Sequence, residues 1–140
     1  NLRKIGIDAQ VKVAEWGRFK SEIESGKAQT WILNWVGFKD PDLYRFVFAS
    51  KSFPPNGANR GFYSNTTLDP LLQKAREATS LEQRKKLYFE IQRLVAEDLP
   101  YSLLWHEEFF AVTNKNLKGF EVAADGSYLS LLKAEVVEEP

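Results

Sequence analysis

The sequence predicts an α/β fold, and three observations predict it. Residues 7–13 alternate apolar and polar, residues 30–36 form a nearly continuous apolar run, and helical periodicity separates these two segments and returns from Leu68 to Asp98. At the start, Asn1 to Ile5 reads as the last turn of a helix, with Arg3 and Lys4 placed well for a C-terminal turn and Gly6 as its cap. Ile7, Ala9, Val11 and Val13 then share one face of a predicted half-buried strand. Trp16, Phe19 and Ile23 fall at helical spacing, Lys20 and Glu24 are one turn apart, and Gly26 ends the pattern. Thr30 to Val36 is rich in β-branched and aromatic residues, as a strand covered on both faces should be. Strand, helix and strand together predict a right-handed βαβ unit in one sheet.

Residues 37–63 are irregular, with Asp40-Pro41-Asp42, a short apolar stretch over 43–48, and Pro54-Pro55 followed by Asn56, Gly57, Asn59 and Gly61. Proline fixes φ and Gly and Asn tolerate positive φ, so this is a long loop with one or two helical turns. A loop of that length in a folded domain points to function. Two helices follow. Leu68, Leu71, Leu72 and Ala75 stack after Asp69-Pro70, and Ser80 to Gln83 matches a capping box opening a stripe of Arg84, Leu87, Tyr88, Ile91, Leu94 and Val95. Pro100 stops that helix. Residues 102–105, 109–113 and 128–137 read as strands, 114–119 as a polar connector, and 136–140 as a solvated tail.

Composition narrows the chemistry. The 140 residues include 19 basic and 19 acidic side chains, so no bulk positive field favours nucleic acid or anionic membrane as partner. No apolar run is long enough to span a bilayer. With no cysteine and one histidine, the chain has no disulfide framework, no thiolate metal site and no imidazole cluster, and no cofactor is expected. Folded compactly, 16.1 kDa should expose about 7,400 Å² of the roughly 23,000 Å² of an extended chain, enough burial for one domain. The chain opens on Asn1 without an initiating Met or a signal-like stretch, so it is expected to be a piece of a longer protein whose leader is not seen.

For catalysis, the candidates are Asp40 and Asp42, since paired carboxylates with separated pKa values hydrolyse glycosides. A small independent hydrolase is therefore the alternative reading. Asp before Pro at a helix mouth is also a common cap, which favours a structural role for the pair. His106 beside Glu107 and Glu108 is expected to be an ordinary, partly exposed ring. Nucleophile elbow, Walker and dinucleotide-binding glycine motifs are absent. Binding suits the residues better. Trp35, Tyr44, Phe46, Phe48 and Tyr63 offer rigid apolar surface, and Asn56, Asn59 and Arg60 offer orienting hydrogen bonds. Trp35 and Gly37 stand at the carboxyl end of a predicted central strand, where open α/β sheets place ligands.

The order of these features resembles the C-terminal lobe of the peptide/nickel-type (family 5) substrate-binding proteins of ABC importers. The resemblance is carried by Ile5-Gly6-Ile7, Glu15-Trp16, Phe19 and the stretch from Trp35 to Asp42. It continues through Asn59 to Asn65, Leu68-Asp69, Leu71-Leu72, Ala75, Arg84 to Tyr88, Ile91-Gln92 and Glu97 to Pro100. It implies one lobe of a periplasmic binding protein type II-like fold, a mixed sheet flanked by helices. Residues 1–140 would then form a single domain, a partial C-terminal lobe whose segment 117–140 returns toward the first lobe. The implied protein is an extracytoplasmic or periplasmic, membrane-anchored, solute-binding component that closes around a peptide or other small solute and hands it to a permease. The implied ligand-facing residues are Trp35, Gly37, Phe38, Asp40, Asn59 and Arg60. In peptide-binding members an Asp often follows the Trp by three residues and pairs the ligand's α-amine. Phe38 holds that position here, and Asp40 is the nearest carboxylate.

Overall fold

The computed structural model describes residues 1–137, and their regular structure is mostly helical. Helix α1 runs Trp16–Glu24, α2 Leu43–Phe48, α3 Leu68–Glu77 and α4 Leu81–Asp98, with 3₁₀ turns at Leu2–Ile5, Ser50–Ser52 and Leu129–Lys133. The first turn ends as its sequence asks. Gly6 adopts a left-handed conformation with φ 81°, its N–H donates to the Arg3 carbonyl, and the Ile7 N–H that follows donates to the Leu2 carbonyl. Helix α1 starts at Glu15, whose carboxylate accepts the Arg18 backbone N–H at 3.1 Å, and it buries Ile23 completely. Helix α4 starts at Ser80, whose hydroxyl accepts from the Gln83 N–H, and it ends at Leu99 in left-handed conformation, just ahead of Pro100.

The apolar stripes of α3 and α4 meet. Leu68, Leu72 and Ala75 from one helix and Tyr88 and Ile91 from the other are buried together with Ala49, and Tyr44, Phe48, Tyr63, Leu71, Leu87, Leu94 and Val95 pack around them. Helix α2 and the following turn close this core. Asp69, in the first turn of α3, accepts hydrogen bonds from both the backbone N–H and the hydroxyl of Ser50. The loop after α2 folds back so that Asn59 N–H donates to Ser52 carbonyl at 2.9 Å and Ala58 N–H to Phe46 carbonyl at 3.1 Å. Gly57 makes this return possible, because a β-carbon there would stand 2.6 Å from the Ser52 backbone oxygen. Gly57→Ala is accordingly expected to cost about 1–3 kcal/mol by forcing the loop off α2. An unchanged denaturation midpoint would show that the loop relaxes freely.

Among the described residues the expected β structure is mostly absent as paired strands. The one sheet among the described residues is a two-residue antiparallel pair, β1 (Leu117–Lys118) with β2 (Glu135–Val136), in register Leu117 with Val136 and Lys118 with Glu135. Segments 7–13, 30–36, 102–105 and 109–113 make no ladder, so the predicted βαβ unit does not form here. Segment 128–137 divides into a 3₁₀ turn and β2, and the expected polar connector at 114–119 carries β1. The reason is physical. A strand exists by pairing its N–H and C=O groups with a neighbour, and alternation in the sequence names the apolar face without supplying that neighbour. Val11 and Val13 are 92% and 95% exposed and Val112 92%, and the chain presents 11422 Å² to solvent against the roughly 7,400 Å² of a compact chain of its mass. The tail expected over 136–140 lies in part outside the described residues.

Candidate functional site

Extended segment 30–36 leads to a glycine turn. Gly37 has φ 83°, a conformation that favours glycine, and its N–H donates to the Asp125 carbonyl at 3.1 Å. Lys39 reaches the Asp125 carboxylate at 2.9 Å, and Asn34 donates to Glu107 at 2.5 Å, so residues 34–39 are held against the later part of the chain. The turn presents an aromatic group. Trp35 packs edge-on to Phe38 at 5.8 Å and to Phe46 of α2 at 6.4 Å between ring centroids. Trp35 is half-buried, while Phe38 and Phe46 remain exposed.

Arg60 completes this face from the other side. Its guanidinium carbon lies 5.3 Å from the Trp35 ring centre, a cation–π contact, and its Nε is 3.6 Å from the Glu24 carboxylate of α1. The Nε and Nη1 atoms are buried without a hydrogen-bond partner, as is the Tyr101 hydroxyl. Burial pushes the Tyr101 phenol up, and the Arg60 charge opposes this in part. Trp35, Gly37, Phe38 and Arg60 are therefore brought together as one apolar face with a cation at its edge.

Asn59 and Asp40 have different employment. Asn59 is buried, donating from its amide to the carbonyls of Ala49 at 3.0 Å and Tyr63 at 2.7 Å and accepting the Tyr63 N–H at 3.0 Å. It ties the loop to itself. Asp40 is clasped by Arg84 of α4 through two hydrogen bonds, of 3.0 and 2.6 Å, and also accepts the Asp42 N–H at 2.8 Å. The Arg84 hydrogen bonds, before that of the Asp42 backbone, hold the Asp40 carboxyl below its usual range. That direction is opposite to what a general acid needs. Asp42 bridges Arg45 at 3.1 Å and the Tyr88 hydroxyl at 3.4 Å, so the two carboxylates stand in separate ion pairs. Part of the capping expectation holds, since Asp40 does accept a backbone N–H at the mouth of α2. The stripe reading of α4 placed Arg84 among core positions and missed its reach to Asp40. The signal was a cation among apolar residues of the stripe.

A second polar group secures the loop behind the site. The Tyr63 hydroxyl donates to Asp98 at 2.5 Å and Asn65 donates to the same oxygen at 2.7 Å. Burial first, then the bond to Asp98, pushes the Tyr63 phenol up to about 12. Its folded value lies above the ordinary one, so the stabilisation is complete below about pH 10 and is lost as pH rises toward about 12. Denaturation midpoints across that window are expected to fall less steeply in Tyr63→Phe than in the parent. Parallel profiles would contradict the assignment.

Among the described residues no group of acidic or histidine side chains is placed to hold a metal ion, and no helix is long and apolar enough to cross a membrane.

No family model matches the chain. It is similar to the probable di/tripeptide-binding protein 5 of Pseudomonas aeruginosa (strain UCBPP-PA14), 31% identical over 123 residues, which is 87% of this chain and 23% of that protein. It is 31% identical to the probable D,D-dipeptide-binding periplasmic protein DdpA of Escherichia coli (strain K12), over 86% of this chain and 23% of the relative. Among solved structures, the ABC transporter-associated periplasmic binding protein DppA from Helicobacter pylori, in complex with the peptide STSA, has a TM-score of 0.70 at 24% identity. That match covers 96% of this chain and 27% of the other. The resemblance to family 5 binding proteins thus holds along most of the chain, and the backbone follows the path of one part of a periplasmic binding protein. The expected α/β class stands at that level, although among the described residues segments 7–13, 30–36, 102–105 and 109–113 go unpaired. The relatives are binding proteins rather than enzymes. The chain spans about a quarter of the length of the curated relatives it matches.

Proposed function

We propose, from this kinship with periplasmic peptide-binding proteins, that residues 1–140 are the larger part of the C-terminal lobe of a solute-binding component of an ABC importer, with peptides as its ligands. The single observation that supports this most is the face formed by Trp35, Phe38 and Phe46, with the Arg60 guanidinium over Trp35, at the end of an extended segment. Such a face offers area at low entropic cost and a cation for a peptide's carbonyl or carboxylate oxygens. Gly37 leaves open space above its backbone, so a ligand's main chain can approach the turn closely.

In this reading the lobe lies on one side of a cleft and the remaining length of the protein supplies the other. Binding closes a hinge and buries the ligand between lobes, with no bond made or broken. Segment 117–140 returns toward the first lobe, the protein works in the periplasm or as an extracytoplasmic protein anchored to the membrane, and a permease receives the peptide. Asp40 is engaged by Arg84 and serves the turn, so the α-amine of a peptide finds its counter-charge elsewhere.

The test is calorimetric titration of the intact protein with di-, tri- and tetra-alanine, followed by chromatography of the recovered ligand. Saturable binding with the peptide recovered intact is expected. Cleaved peptide, with cleavage lost in an Asp40→Asn, Asp42→Asn double variant, would replace this reading with a hydrolase.

A further inference from the structure

We propose that Arg84 is a positioning residue of the binding face: its two-pronged hold on Asp40 fixes the turn at residues 37–40 and thereby seats Phe38 against Trp35.

The turn cannot be placed by packing alone. A β-carbon at Gly37 would meet nothing within 4 Å, and Phe38, though its ring touches Trp35 and Phe46, stays exposed on its other side. Its position therefore depends on tethers. On one side, the Gly37 N–H and the Lys39 ammonium hold Asp125, a residue outside the helical core. On the other, Asp40 meets Arg84, and α4 is the helix whose Tyr88 and Ile91 are buried in that core. This second tether refers the turn directly to α4, beside the contact of the Phe38 ring with Phe46 of α2 at 6.4 Å between centroids.

Arg84 is itself oriented before it binds Asp40. Its guanidinium carbon lies 5.2 Å from the ring centre of Tyr88, one helical turn further on, and Tyr88 is buried with its hydroxyl directed to Asp42. The Asp40 carboxylate accepts two guanidinium hydrogen bonds and the Asp42 N–H as well, so one side chain links the turn, the start of α2 and α4. Paired hydrogen bonds between a planar guanidinium and a carboxylate fix angle as well as distance, which a lysine cannot do. The pair is partly open to solvent, and exposed ion pairs contribute little to stability, so its role is geometric.

The affinity part of the test rests on the peptide reading, and the spectroscopic part does not. The intact protein is labelled with 5-fluorotryptophan, and the Trp35 fluorine resonance is identified by its loss in Trp35→Phe. Arg84→Gln and Asp40→Asn are each expected to shift or broaden that resonance and to weaken trialanine binding about tenfold. Melting should move by no more than about 4 °C, as fits an exposed ion pair. Arg84→Lys keeps the charge and is expected to reproduce most of both changes. A Trp35 resonance unmoved in both Arg84→Gln and Asp40→Asn overturns the proposal, as does an Arg84→Lys variant indistinguishable from the parent. If the intact protein binds no alanine peptide, the peptide reading fails, and the resonance still decides the role of Arg84.

Discussion

Ile91→Ala is expected to lower the unfolding free energy by about 2–5 kcal/mol, the range for removing a large aliphatic side chain from a closed core. Ile91 has no exposed surface and sits where α4 meets α3, in the cluster with Leu68, Leu72, Ala75, Tyr88 and Ala49. The same cluster holds the turn after α2, so the loss should reach beyond α4 and loosen the loop that carries Arg60. Phe89 on the same helix is 71% exposed, and Phe89→Ala should change stability by no more than about 0.5 kcal/mol. Denaturant midpoints of the two variants of the intact protein give the comparison. Equal midpoints would show that the α3 and α4 stripes do not form the core.

Trp35→Ala is expected to have the largest effect on binding, weakening peptide affinity about 5- to 150-fold, which corresponds to roughly 1–3 kcal/mol for the loss of an aromatic anchor. Two losses add. The ring that Phe38 and Phe46 pack against disappears, and the Arg60 guanidinium loses the surface it covers. Because Trp35 is only half-buried and lies outside the main helical cluster, melting of the protein should change little. Calorimetric titration with trialanine, alongside thermal melts, separates the two effects. A large drop in stability with affinity preserved would make Trp35 a core residue.

The helices were legible because their signals are local. Glu15, Ser80 and Gly6 act as caps within three residues of themselves, and the stripes of α3 and α4 are buried largely against each other, with Ala49, Tyr44 and Phe48 closing the cluster. The strands were legible as segments and not as a sheet. Val11, Val13 and Val112 mark the apolar positions of the expected strands, but partners that would cover them are not supplied by the described residues. Sheet pairing is a long-range property, and periodicity carries no information on which neighbour exists. At the site, the grouping of Trp35, Gly37, Phe38 and Arg60 followed from residue type and order. The burial of Asn59 did not, because an Asn in a loop reads equally as a ligand contact or as a clamp on its own backbone. Nor did the clasp of Asp40 by Arg84, which joins positions far apart in sequence.

The central claim is that the Trp35 face meets the ligand, and hydrogen exchange of the intact protein with and without saturating alanine peptide tests it most directly. Backbone amides of residues 34–38 and of residues 60–62 should gain protection on binding, as the turn is covered and the lobes close over it. Amides in the middle of α4, already protected by the core, should not change. Protection confined to other parts of the protein, with residues 34–38 exchanging as freely as before, would contradict the account and move the ligand away from Trp35.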